Sequence, residues 1–138
     1  MSYATLDDLV LAYGLDEITQ ITDRSVPPVG VPDSVVADRA IEGASAEIDS
    51  YLVTRHQLPL TDTPIVLRDC ACDIARYKLH GVMVPDEVAA AYGRRLTWLR
   101  DVAAGRASVG PQVSDQPPPA TNLPEIVSGG RVFGRDNY

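Results

Sequence analysis

Aromatic residues are few, 6% of the chain, with a single tryptophan and a single phenylalanine. That scarcity argues against an aromatic-rich β-sandwich, and the apolar share is instead mostly Ala, Val, Leu and Ile, which suits close helix packing. Cysteine is almost absent: Cys70 and Cys72 are the whole complement. A small disulfide framework needs more pairs and a metal site more ligands, so both are read as reduced thiols on a helix. No stretch approaches the roughly 20 apolar residues that cross a bilayer. The N-terminus lacks the basic start and apolar core of a signal peptide, so the expectation is a soluble protein, intracellular when made. Positive charge is outnumbered, twelve Lys and Arg against nineteen Asp and Glu for a net charge of -7. A phosphate backbone would repel such a chain, which argues against sequence-specific DNA binding. An acidic lumen that lets DNA slide past without sticking stays compatible with that balance.

What is present reads as helix. With 138 residues, 45% of them apolar, the chain has material for one core. Thr5 is an N-cap with Asp8 three residues later, and Leu6, Leu9, Val10 and Tyr13 form a short apolar face closed by Gly14. Ile18 and Ile21 lie three apart, but the prolines at 27, 28 and 32 cannot continue a helix, which predicts a loop of about ten residues. Asp33 then caps a long helix running to about Thr54, roughly 33 Å, with Val36, Ala40, Ile41, Ala44, Ile48, Tyr51 and Leu52 on one face. Gly43, Ala44, Ser45 and Ala46 in its middle are small enough for another helix to approach closely; Gly43 costs about 1 kcal/mol relative to Ala in an exposed helix. Pro59 and Pro64 bracket a corner before a third helix with Ile65, Leu67, Cys70, Ala71, Ile74 and Tyr77, ended by Gly81. Asp86 is expected to cap a fourth, striped by Val88, Tyr92, Leu96, Leu99 and Val102 and ended by Gly105, with Trp98 at the stripe's edge.

Beyond Gly105 the composition changes, with prolines at 111, 117, 118, 119 and 124. The expected organisation is therefore an all-α domain over 1–105, a small bundle of about four helices with a long central one, and a Pro/Gly-rich arm over 106–138. Within the arm, two short β-prone runs flank Gly129-Gly130 and signal a hairpin, expected to order against a neighbouring subunit or partner because an isolated hairpin is marginal in water.

No catalytic constellation assembles from these residues, and neither an enzyme activity nor a cofactor is expected. His56 and His80 stand apart from any Cys or carboxylate set at ligand spacing, which makes surface or capping roles the simpler assignment than metal binding. Cys70 could be imagined as a nucleophile, but two thiols two apart in an apolar helical repeat are packing material. Gly129 and Gly130 lack the Lys-Ser/Thr and the helix start of a phosphate loop. Asp73 and Arg76, three apart on one helix, are expected as a solvated pair worth a few tenths of a kcal/mol, structural only if buried.

Several stretches in order carry a resemblance: Tyr3-Ala4-Thr5-x-x-Asp8-Leu9, Ala40-Ile41 through Ile48-Asp49-Ser50-Tyr51-Leu52, Arg55-x-x-Leu58-Pro59-Leu60, Cys72-Asp73-Ile74-Ala75-Arg76-Tyr77, and Trp98-Leu99-x-x-Val102-Ala103-Ala104-Gly105. The pattern resembles the Mu-like phage family of small head-tail joining proteins over most of the first 105 residues. The ending Arg131-Val132-Phe133-Gly134-Arg135-Asp136 is similar to that family's close, and His56 stands where the family commonly has Tyr. The resemblance implies a structural protein of the virion neck, made in the host bacterial cytoplasm. It would dock as a homo-oligomeric ring, twelve-fold in related connectors, between the portal protein and a tail-side neck or terminator protein. DNA would pass through the lumen without specific binding, and no membrane is involved.

On that resemblance, Ile41, Ala44, Ile48, Tyr51, Leu52, Ile74, Tyr77, Leu96 and Leu99 hold the protomer fold, and Arg55 with the Leu58-Pro59-Leu60 corner sets the angle between helices. Arg55, Pro27, Pro28, Ile126, Val127, Arg131, Val132, Phe133 and Arg135 are the candidate partner contacts. The competing class is a small helical regulatory or scaffolding oligomer that binds a protein through its C-terminal arm.

Overall fold

A computed structural model describes residues 2–110, and the proposed hairpin and every candidate contact in the arm lie outside them. The described residues are all-helical, with five helices and no strand. Helix α1, Leu6–Tyr13, begins with the expected reciprocal cap: the Asp8 carboxylate accepts the Thr5 N–H at 2.9 Å, and the Asp8 N–H donates to Thr5 Oγ1 at 3.3 Å. Gly14, at φ +97°, ends α1 and at once begins α2, Leu15–Thr22. This helix makes five where about four were expected. It is as short as α1 but lacks a side-chain N-cap of the kind Thr5 gives that helix, and burial of Ile18 and Thr22 settles its conformation.

Helix α3, Ser34–Leu52, is the expected long element, with the Asp33 side chain accepting from the Val35 and Val36 amides at 2.9 and 3.3 Å. It stops two residues short of Thr54. Helix α4, Ile65–His80, ends at Gly81. Helix α5, Asp86–Ala103, has Pro85 at its N-cap, so Asp86 is its first residue rather than its cap, its carboxylate set against the positive end of the helix dipole. The peptide bonds before Pro27 and Pro59 are cis.

Helices α3 and α4 form the central pair, and each touches every other helix; α1 and α2 lie to one side and α5 to the other, without touching it. Ala37, Ile41, Ala44, Ile48 and Leu52 from α3 meet Leu67, Cys70, Ile74 and Ala75 from α4, all within 2% of complete burial. The small residues of α3 admit close neighbours: Ala44 is buried in this contact, a methyl built on Gly43 would sit 3.5 Å from the Lys78 stem, and the buried Ser45 hydroxyl accepts the Tyr3 amide at 3.1 Å. Val109 is fully buried against the same core, so packing continues past Gly105.

Candidate functional site

Two surfaces concentrate chemistry, one in the middle of α4 and one at its end. In the middle, Asp73 and Arg76 do not pair with each other. Asp73 accepts from the Tyr13 hydroxyl of α1 and from Arg95 Nε of α5 at 2.6 Å. Arg76 grips Glu17 of α2 with two hydrogen bonds of 2.5 and 3.0 Å, lies 4.4 Å over the Tyr13 ring, and comes within 4.0 Å of Glu87 on α5. Both side chains are partly buried, so the expected solvated local pair is replaced by bonds that cross between helices. The next residue, Tyr77, stacks on Tyr92 with ring centroids 3.9 Å apart. The Tyr92 hydroxyl donates to Glu47 of α3 at 2.9 Å, and Lys78 reaches the same carboxylate at 3.2 Å. Burial first, and then the hydrogen-bonded carboxylate, pushes Tyr92 up to about 12 and raises Tyr3, which donates to Asp49, and Tyr13 further.

The thiols of Cys70 and Cys72 are buried and free, each pushed up to about 12 chiefly by that burial, whereas an activated nucleophile needs the opposite shift. His80 Nε2 is buried without a hydrogen bond, 3.8 Å from Glu17. Among the described residues, no three His, Cys, Asp or Glu side chains are grouped as a metal ion would require, and no helix is long and apolar enough to cross a membrane.

Of the residues singled out by sequence, Ile41, Ala44, Ile48, Leu52, Ile74 and Leu99 are in the core. Tyr51, Leu58, Leu60 and Leu96 pack half-buried against it, Tyr77 is half-buried in its stack, and Pro59 is exposed. Arg55 is exposed, yet its guanidinium donates to the Ala103 and Ala104 carbonyls at 3.3 Å and so binds the end of α5 to the end of α3. It fills the space beside Gly105, where an added methyl would lie 2.6 Å from it.

The second surface surrounds Pro27 and Pro28. The loop joining α2 to α3 is pinned from within: the Asp23 carboxylate accepts the Gly30 amide at 2.7 Å and the Ser25 amide at 3.3 Å, and Thr22 Oγ1 accepts the Asp33 amide at 3.1 Å. The Gly30 hydrogen bond, first, holds the Asp23 carboxyl below its ordinary value. Arg24 ties this loop to the end of α4 through a 3.3 Å hydrogen bond to the Leu79 carbonyl. At that end the molecule turns aliphatic side chains outward: Val26 is 97% exposed, Val82 100% and Met83 85%, with Val29, Val31 and Val35 also exposed. An open groove of about 370 Å³ runs between α3 and α4 beside them, lined by Val35, Val36, Ala40 and Leu79 and by three cations, Arg24, Arg39 and Lys78. Pro27 and Pro28 were singled out by sequence, but the groove was not. A signal existed in Val82-Met83-Val84, an apolar run with no room for a further element between Gly81 and Pro85.

A family model described as Bacteriophage Mu, Gp36 matches residues 3–128. The chain is 33% identical over 136 residues to "Gene product J" of Escherichia phage Mu, covering 98% of this chain and 96% of that protein. It is 34% identical over 134 residues to "Mu-like prophage FluMu protein gp36" of Haemophilus influenzae, covering 97% and 94%.

Proposed function

The chain belongs to the Bacteriophage Mu Gp36 family, and from that premise we propose that it is a structural protein of the phage virion, a head-tail adaptor. In this role copies of the chain, made in the host bacterial cytoplasm, assemble as a ring beneath the portal protein. The ring joins the DNA-filled head to a tail-side neck protein, with no enzymatic step and no cofactor. The observation that carries an assembly role is the end of the bundle at which Val26, Val82 and Met83 face outward from a loop that Asp23 and Arg24 hold in place. Aliphatic side chains on a pinned surface favour being covered by another protein. A ring needs an interface between two different patches whose rotation closes, and the apolar end together with the C-terminal arm supplies two such patches. The net charge of -7 suits a lumen through which DNA passes without sticking.

The test is to mix the purified protein with its portal ring and measure the mass of the product by size-exclusion light scattering, with each component alone as control. A portal-bound species heavier by a whole number of 14.9 kDa protomers is the expected result. No mass gain, with a small oligomer that forms without portal, would overturn the adaptor assignment in favour of a regulatory or scaffolding module.

A further inference from the structure

The exposed large aliphatic side chains fall mainly into two groups, and the unpaired charges beside them differ in sign. The first group is the end of α4 with its adjoining loop, where Val26, Val82 and Met83 face outward. Beside it Arg24 and Arg39 line the groove between α3 and α4, and neither meets a carboxylate among the described residues. Asp38 and Glu42, near Arg39 on the same helix, do not line that groove. The second group is Leu11 of α1 and Leu15, the first residue of α2. Asp7, one turn before Leu11, and Asp16, next to Leu15, are exposed and meet no cation among the described residues.

Leu11 stands at the rim of a crevice of about 240 Å³ between α1 and α4, lined also by Ala12, Cys72, Asp8, Asp69 and Arg68. Arg68 lies 3.7 Å from Asp69, and Asp8 caps α1 with Thr5. With Asp7 beside it, the crevice sets three carboxylates against one guanidinium. At the other group Gly81, at φ +66°, turns the chain so that Val82 and Met83 stand clear of the bundle, 100% and 85% exposed. One surface is an aliphatic projection flanked by free cations, and the other an aliphatic recess flanked by free carboxylates. Seating the first in the second removes both from water and brings opposite charges together.

The two surfaces cannot close on each other within one protomer. Both are fixed on α4, where Cys72 and His80 are about 12 Å apart along the helix axis. A second copy of the chain carries the half that the first one needs, and each contact leaves one half of each kind free for a further copy.

We propose that the end of α4 docks into the α1–α4 crevice of a second copy of this chain, with Val82 and Met83 against Leu11 and Ala12, and Arg24 and Arg39 facing Asp7 and Asp69. The contact rests on the adaptor reading only in that copies of the chain meet. It is tested without portal, so a chain that adds to the portal ring yet fails here overturns this contact alone.

The full-length chain and the variants Met83→Glu and Leu11→Glu are followed by analytical ultracentrifugation from micromolar to millimolar concentration. Both positions are 85% exposed, so each variant should keep the unfolding midpoint of the parent. The parent should form species larger than a dimer, and added salt should weaken them because facing charges are screened. Each variant alone should associate at least tenfold more weakly. An equimolar mixture of the two should form a one-to-one heterodimer and nothing larger, since each supplies the surface the other has lost. A parent that stays monomeric throughout, variants that associate as the parent does, or a mixture without the heterodimer overturns the proposal. So does association that strengthens with salt, which would mean that the charges do not face one another.

Discussion

The middle of α4 and its C-terminal end use the same residue types to opposite effect. In the middle, every arginine meets a carboxylate on another helix, Arg76 with Glu17 and Arg95 with Asp73, and the aromatic rings stack or sit under a guanidinium. At the end, Arg24 and Arg39 have no carboxylate partner among the described residues, and valines are exposed to solvent. The first arrangement is closed, since its polar groups satisfy one another and its apolar neighbours are covered. The second is ordered but open, and stability of the protomer gains little from it. The bundle matches its charges across helices in one place and, among the described residues, leaves two guanidiniums without a carboxylate in another.

Four measurements would break or sharpen that contrast. Ile48→Ala, in the buried α3–α4 contact, should cost about 3 kcal/mol in urea unfolding, whereas Val82→Ala at the open end should stay within about 0.5 kcal/mol. Equal losses would mean that the end belongs to the core. Asp73→Asn weakens two bonds that cross between helices and should cost about 2 kcal/mol; Arg39→Gln should leave the unfolding midpoint in place.

Alkali offers a third probe of the closed region. Tyr3, Tyr13 and Tyr92 keep their protons in the folded state above the unfolded value of about 10, so their contribution is complete below pH 10 and declines as pH rises toward 12. Tyrosinate absorbance and loss of helical circular dichroism should therefore rise together over that window. Tyrosinate appearing with the helices intact would show that these hydroxyls are not held. The smallest expected effect is at the far end of α3, where Arg55→Ala should cost about 1 kcal/mol. Gly105→Ala, strained at φ +82° and crowding the same guanidinium, should cost less in the Arg55→Ala background than alone.

Much of the scaffold is legible in the amino-acid sequence. The Thr5–Asp8 cap, the Asp33 cap, the run of α3 from Ile41 to Leu52 and the Gly81 stop are local features, written in residues three or four apart. Helix α2 was not legible, because no side chain caps it as Thr5 caps α1 and prolines follow it closely. The partners of Asp73 and Arg76 are not legible for a different reason. Spacing along one helix shows which side chains could touch each other, but Tyr13, Glu17 and Arg95 come from helices whose placement no short-range rule supplies.

By itself, then, the sequence determined that this protein is helical, where most of its helices begin and end, and which faces are apolar, because caps and periodicity act over one or two turns. Only the tertiary structure decided which charges are satisfied and which are left open. That choice depends on which helix faces meet across the α3–α4 pair, and it is what separates the closed middle of α4 from the cationic groove at its end.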